Sequence, residues 1–346
     1  MLSRRLKNDG VSILRLNELQ IEIKKQIDNK VEIGNYHFEY ISCPICNSND
    51  KDLIGEKDRY GLFFSTNLCQ KCGLVYTSPR MIQESYNSFY NLEYRKLYGG
   101  SEEVSPTFFQ FQKKFGKRIY TFLSNHNLLS KTPINVLEVG CGAGGILDHF
   151  RDEGHFVKGI DLGEKYINYG ISKYNLDLEV GSLKDITLEV KPDLIIYSHV
   201  LEHILDLNYE LSLLKKHIKP ETIVYIEVPG IKEIHKNYNY DILKYFQNAH
   251  TFHFTLNSLT NLFNKHGFEL IYGNQFVMSA FKFKGDLDRI PISDYGDVKT
   301  YMSSLESKRK LNEIYLFLSK KNKLILFKIL HFTGTYNFVK KLYNRY

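Results

Sequence analysis

Two patterns in this sequence could do chemistry. The first is Val136-Leu-Glu-Val-Gly-Cys-Gly-Ala-Gly-Gly145, an apolar run that breaks into a glycine-rich turn. Glycine there lets the backbone close on a ligand, and the carboxyl edge of a first strand is where ligands sit in open α/β sheets. Gly140, Gly142 and Gly145 satisfy G-x-G-x-x-G, and Asp161 follows Gly140 by 21 residues, the arrangement of a dinucleotide site. Gly140, Gly142 and Gly144, with Glu138 two residues ahead, equally satisfy E-x-G-x-G-x-G. Spacing does not choose between them. A pyrophosphate wants a helix N-terminus and would be repelled by Glu138, whereas a cationic ligand would be attracted. Asp161 ends the next strand and can accept hydrogen bonds from both hydroxyls of a ribose. It therefore points to a nucleoside under either reading.

The second pattern is Cys43-Pro-Ile-Cys46 and, 22 residues on, Cys69-Gln-Lys-Cys72. Two thiolates two residues apart can face one ion, and two such knuckles close a tetrahedron. Four thiolates make a closed, structural zinc site the expected outcome, folding as the metal binds. A redox dithiol, an iron–sulfur cluster and four unligated thiols are the alternatives. Cys141, alone in the glycine turn, reads as a small residue beneath a ligand.

The elements that must position these groups are legible downstream of Pro133. INVLEVG, FVKGIDL, DLIIYSHV and TIVYIEVP are short apolar runs. GILDHFRDEG, EKYINYGISKYN, DLNYELSLLKKHI and SLTNLFNKHGF are helical, and ELIYGNQFV follows as a last strand. Strands alternating with helices predict βαβ units and a Rossmann-like, doubly wound, mostly parallel sheet. The expected layout is a charged leader over 1–40, with an irregular apolar stripe at Leu14, Leu16, Leu19, Ile21 and Ile23. A zinc module follows over 41–80 and an aromatic connector over 81–131. The ligand-binding domain spans 132–275 and a helical extension 276–346.

Composition narrows the function. The 346 residues are 43% hydrophobic and 25% charged, an ordinary soluble mix. Lys and Arg number 46 against 39 Asp and Glu. Ten of the basic and two of the acidic residues fall in 301–346, a net of +8, which leaves about −1 for the rest. A nucleic-acid-binding body is therefore not expected. Within the extension, Leu311, Ile314, Tyr315 and Leu318 form one helical stripe flanked by Lys308, Arg309, Lys310, Lys320, Lys321 and Lys323. That face suits the body, a second copy of the chain, or a membrane surface. No secretory signal or transmembrane run is read, so the expected location is the cytoplasm or the inner face of its membrane.

The glycine turn, Asp193 to Ile204 with its HVLEHI run, EVPG at Glu227 and HTFHFTLNSLTNLFNKHGFEL together resemble class I S-adenosylmethionine-dependent methyltransferases. The resemblance covers about 132–275. It implies that Gly140, Gly142 and Gly144 line the methionine part of the cofactor and that Asp161 holds the ribose. Leu162, Ser182 and Leu183 would lie by the adenine, and Ser198 and His199 near the methyl donor. The Asp usual beside the adenine is absent at Ser182–Leu183, and Asp185 follows shortly. A four-Cys module ahead of such a domain is similar to bacterial sugar methyltransferases of the C-methyltransferase type, and CQKCGLVYTSPR resembles that module's closing segment. Their Tyr-His-Glu-His stretch is matched here by Gln247-Asn248-Ala249-His250, which keeps the last His and loses Tyr and Glu. The accepting atom is thus open among carbon, oxygen and nitrogen, and the implied acceptor is a sugar nucleotide or glycan precursor.

Methyl transfer is an in-line displacement, and a hydroxyl or carbon acceptor must lose a proton. Histidine suits that base role. His203 is the first candidate and His250 the second, with His199 and His253 behind them and Glu202 placed to orient a ring. A nicotinamide-dependent oxidoreductase and a non-catalytic zinc-ribbon binding protein are the competing functions.

Overall fold

The computed structural model describes residues 1–100, 104–130, 132–287 and 289–332. A short 3-10 turn over Arg4–Leu6 precedes helix α1 (Glu18–Glu32). Asn17 caps α1 through a reciprocal pair with Gln20 (2.8 and 3.0 Å), and Ile23 and Ile27, one turn apart, are its buried face. The expected stripe thus begins too early, since Leu14 and Leu16 precede the helix. The leader packs against the body. Leu6 is buried in a cluster with Ile54, Phe64, Val298 and Met302. Arg5 pairs with Asp241 and Glu306 at 2.6 and 2.7 Å.

Strand β1 (Phe38–Glu39) pairs with β5 (Arg80–Met81). Between them β2 (Lys51–Lys57), β3 (Phe63–Cys69) and β4 (Val75–Thr77) form an antiparallel meander carrying the four cysteines near its ends. The connector is helical, as its aromatic spacing suggests. It comprises α2 (Gln83–Phe89), one π-helical turn over Tyr90–Tyr94, α3 (Arg95–Gly99) and α4 (Pro106–Asn125). Ser105 caps α4, with Pro106 at its first position, where a missing N–H costs nothing.

The alternating half then runs β6 (Asn135–Val139), α5 (Gly145–Asp152), β7 (Phe156–Asp161), α6 (Glu164–Tyr174) and β8 (Leu178–Val180). It continues through β9 (Leu194–Ser198), α7 (Leu207–His217), β10 (Ile223–Glu227), α8 (Ile234–Asn237) and α9 (Ile242–Tyr245). Last come β11 (Phe252–His253), α10 (Leu256–Lys265), β12 (Phe268–Gly273), β13 (Met278–Phe283) and α11 (Tyr295–Phe332). The main sheet has the order β12-β13-β10-β9-β6-β7-β8. Its β8 to β10 part is parallel, and β13 and β12 close one edge antiparallel. The expected doubly wound sheet is present. The final strand read from the sequence is instead a hairpin turning at Asn274–Val277, which carries this unit to Phe283 rather than 275.

Strand order reverses between β6 and β9, so their carboxyl ends open the crevice where ligands bind in such sheets. Both faces are covered, which is why β9 reads as an unbroken apolar run. One core holds α4, α5 and α6. The other holds α7 and α10 and also Cys43, Cys69 and Cys72. The cysteine module is therefore built onto the sheet, and β11, from far along the chain, completes its own small sheet beside β4. Helix α11 buries Val298, Met302 and Leu305, while Leu311, Ile314, Tyr315 and Leu318 are exposed. No described helix is long and apolar enough to cross a membrane.

Candidate functional site

Residues Gly140, Gly142 and Gly144 all adopt the left-handed conformation, at φ +70°, +56° and +80°. At Gly140 there is no room for a side chain: a Cβ would lie 2.4 Å from Val200 Cγ2, on the turn that leaves β9. The two turns at the switch point are thus in contact. Asp161 braces the glycine turn. Its Oδ2 accepts from Gly142 N (2.9 Å) and its Oδ1 from Gly163 N (2.6 Å). Each oxygen keeps a second lone pair for a ligand hydroxyl. Gln112 on α4 holds the turn from outside, donating to Cys141 O (3.0 Å) and accepting from Ala143 N (3.3 Å). Nothing in the sequence pattern singled out Gln112, because it lies upstream of the recognisable motifs.

Glu138 is 1% exposed, and its Oε2 is buried with no hydrogen-bond partner. Burial, and then the charge of Asp161, push its carboxyl well above the usual carboxylate range. A positive ligand beside it would reverse that shift, since an opposite charge favours the ionised form. The geometry therefore fits a cationic nucleoside. Cys141 is fully buried and its thiol is pushed up by burial, so it is not a nucleophile.

The adenine side is mixed. Leu162 is 62% exposed at the end of β7 and available to a ligand. Leu183 is 1% exposed and packs into the core, and its carbonyl oxygen lies 2.9 Å from His217 Nε2, so it is not open to a ligand as expected. Asp185 accepts from Ser182 N (3.0 Å) and Ser182 Oγ (2.7 Å), which folds this acid back onto the serine.

At the end of β9, Ser198 lies in register with Glu227 of β10. His199 follows at φ +57°, its Nδ1 3.6 Å from Glu202 and its Nε2 3.7 Å from Glu227. Partial removal from water works against its charge, but the two carboxylates prevail and raise it to about 10. His199 is therefore protonated near neutrality and cannot accept a proton. Arg118 on α4 also pairs with Glu227.

His203 and His250 form one cluster with Glu202. A carboxylate oxygen of Glu202 and one ring nitrogen each of His203 and His250 lie within 4.8 Å of one another. The His203 and His250 rings meet edge to face at 4.6 Å. Burial lowers both, despite the pull of Glu202 on His203, so both are neutral at pH 7. His203 Nδ1 has no partner and neither has either Glu202 oxygen, whereas His250 Nδ1 faces Gln247 Nε2 at 2.8 Å. This set could also ligate a divalent cation, which would take up the lone pair a base needs. His253, its ring centre 6.5 Å from that of His250, is packed by Phe64, Tyr245 and Phe246 and lowered to about 3 by burial.

Four tyrosines spaced by four residues explain the connector. Tyr86, Tyr90, Tyr94 and Tyr98 share one helix face. Tyr86 Oη donates to Ala249 O (2.8 Å), and Tyr98 Oη accepts from Ala249 N (2.9 Å). The inner rungs, Tyr90 and Tyr94, stack at 4.3 Å and present their faces or edges to His203 at 6.0 and 5.7 Å. The ladder thus grips the loop that carries His250 while walling His203. The spacing was visible in the sequence, but its target was not.

A further buried acid holds the same loop. Asp58 Oδ2 accepts from Asn248 N (2.9 Å), and Oδ1 accepts from Tyr60 N (2.8 Å) and Leu62 N (3.0 Å). Burial raises Asp58 to about 6 against these three donors. From the other side, Thr77 N donates to Thr251 O (2.9 Å) and Thr251 N to Glu202 O (2.9 Å). The module, His250 and Glu202 are one hydrogen-bonded unit.

The cysteines converge as their spacing predicts. Cys43 and Cys72 Sγ are 3.5 Å apart, as are Cys46 and Cys69, and all four Sγ lie within 4.8 Å. A closed set of four sulfur donors fits a tetrahedral zinc ion. Pro44 O in the first knuckle accepts from Asn208 Nδ2 (3.3 Å) and Lys265 Nζ (2.9 Å), tying the knuckle to α7 and α10.

Asp161→Ala is expected to weaken nucleoside-ligand affinity about tenfold or more. A hydrogen bond to a charged group contributes about 1.5–3 kcal/mol, and the brace on Gly142 is lost as well. Calorimetric titration reads this directly, and unaltered affinity would remove Asp161 from the site.

Residues 111–272 match a family model described as a methyltransferase domain. The C-methyltransferase NovU of Streptomyces niveus is 25% identical over 141 residues, 39% of this chain and 33% of that protein. The chain thus spans about a third of the length of this curated relative. Among solved structures, Burkholderia thailandensis 1,6-didemethyltoxoflavin-N1-methyltransferase is 16% identical, with a TM-score of 0.43 covering 61% of this chain and 96% of that one. CalS10, an amino pentose methyltransferase from Micromonospora echinaspora, is 14% identical, with a TM-score of 0.31 covering 37% and 58%.

Proposed function

We propose that the protein, residues 111–272 of which match a model described as a methyltransferase domain, transfers a methyl group from S-adenosylmethionine to a small polar acceptor of the sugar-nucleotide or glycan-precursor class. The observation that carries the cofactor is the buried, unpartnered Glu138 Oε2 beside Asp161 at the glycine turn. Two acids there favour a sulfonium nucleoside over a pyrophosphate. The acceptor class rests on the cysteine module placed ahead of the domain, as in the sugar methyltransferases the sequence resembles.

S-adenosylmethionine supplies an electrophilic methyl group. The chain's own residues do the rest. The glycine turn and Asp161 seat the nucleoside, with Asp161 turned to the ribose. His203, neutral and without a partner on Nδ1, takes the acceptor's proton. Glu202, 1% exposed and already 3.6 Å from His199 through Oε1, stabilises the imidazolium that results. The Tyr and Glu missing from 247–249 have spatial counterparts in Tyr90, Tyr94 and Glu202, which surround the histidine pair. Burial of Glu202 and His250 keeps water from them, which strengthens these interactions. Cys43, Cys46, Cys69 and Cys72 would hold zinc away from the reacting atoms, as a structural ion.

Titration with S-adenosylhomocysteine and with NAD tests the cofactor. Binding of the first and not the second is expected, and the reverse would overturn the proposal in favour of an oxidoreductase. Incubation with a panel of sugar nucleotides should then add the mass of one methylene to a member of that class.

A further inference from the structure

The wide turn over Tyr90–Tyr94 ends at Arg95, and the place it gives this side chain is unusual. The guanidinium carbon lies 4.3 Å from the ring centre of Tyr166 and 5.3 Å from that of Tyr94. Tyr166 stands in the first turn of α6, just past Asp161 and Gly163, where a Cβ on Gly163 would touch both Asp161 and Tyr166. Tyr94 stands against His203. Arg95 therefore lies between the nucleoside side of the crevice and the histidine cluster. Its charge is permanent, yet among the described residues no carboxylate forms an ion pair with it. Two basic side chains of α4 differ. Arg118 is paired with Glu227, and Lys113 with Asp148 and Asp152.

A half-buried guanidinium held by two aromatic faces has lost water while feeling Asp161 only through space, with no described carboxylate paired to it. Stacking engages its faces and leaves its edge, a planar fork of N–H donors, free. Such a fork matches the oxygens of a carboxylate or phosphate two at a time. A π-helical turn is costly and tends to occur at functional sites. Here it places Tyr90, Tyr94 and Arg95 toward one crevice.

We propose that Arg95 is an anion-binding residue of this crevice, taking the carboxylate or phosphate oxygens of a bound ligand. The proposal rests on the methyltransferase reading for its two sources of anion. One is the amino acid end of the cofactor, and the other is the phosphate of a nucleotide-linked acceptor.

The test compares the full-length wild type with Arg95→Gln by calorimetry, using three probes. S-adenosylhomocysteine carries the carboxylate, 5′-methylthioadenosine is the same nucleoside without it, and uridine diphosphate carries only the phosphates. A loss of tenfold or more for S-adenosylhomocysteine with 5′-methylthioadenosine unchanged assigns the cofactor's carboxylate. A tenfold loss for uridine diphosphate with S-adenosylhomocysteine unchanged assigns the acceptor's phosphate. Affinities within twofold of wild type for all three overturn the proposal. If wild type does not bind S-adenosylhomocysteine, the cofactor reading fails and Arg95 is judged on uridine diphosphate alone. If wild type binds neither, both fail. Should Arg95→Gln not fold, Arg95→Lys, which keeps the charge and loses the fork, makes the same comparison.

Discussion

Turnover by His203→Ala is expected to fall by about 10²–10⁴-fold, the usual contribution of a positioned base, with S-adenosylhomocysteine affinity within about twofold of wild type. The separation follows from geometry. His203 touches His250, Tyr90 and Tyr94, whereas the groups proposed to seat the nucleoside are on the glycine turn and β7. The pH dependence has a defined sign. Burial lowers His203 below the ordinary histidine value, so the base is already free at pH 7 and activity should decline only on acidification below about 6.5. Glu202 raises His203, so Glu202→Gln should move that acid limb to still lower pH. Normal cofactor affinity with unchanged turnover would exclude His203 as the base. A larger loss in His250→Ala would transfer the role to its neighbour.

The second large effect concerns the cysteines. Purified protein is expected to carry one zinc ion per chain, and Cys69→Ser or prolonged chelation should abolish the cooperative melting transition. Structural zinc in isolated fingers contributes about 10–16 kcal/mol of apparent binding energy, comparable to or above the whole stability of a domain at about 5–15 kcal/mol. The loss would not stay local. Cys43, Cys69 and Cys72 are buried in the same core as α7 and α10. Thr77, one strand beyond the second knuckle, is bonded to Thr251 beside His250. S-adenosylhomocysteine binding should therefore weaken along with the metal. Metal analysis and scanning calorimetry decide the matter: a zinc-free chain with an unchanged melting temperature would show that the four thiols are not a metal site.

Much of the molecule was readable from residue order because its causes are local. Apolar runs and helical periodicity report which faces are buried, so the alternation after Pro133 led to a doubly wound sheet. A glycine turn needs positive φ at particular positions, and only glycine adopts it cheaply. Two cysteines two residues apart make a knuckle whatever surrounds them. The rest depended on contacts between distant segments, which leave no periodic trace. Leu183 turned inward and Asp185 folded onto Ser182 because packing, not motif, sets their side chains. The leader became part of the core through Leu6 and Arg5. Asp58 and the tyrosine ladder meet the loop bearing His250, which leads into β11 paired with β4, through contacts far apart in the chain. His199 is protonated by the placement of Glu202 and Glu227, while burial keeps His203, His250 and His253 neutral, and no spacing in the chain could specify either.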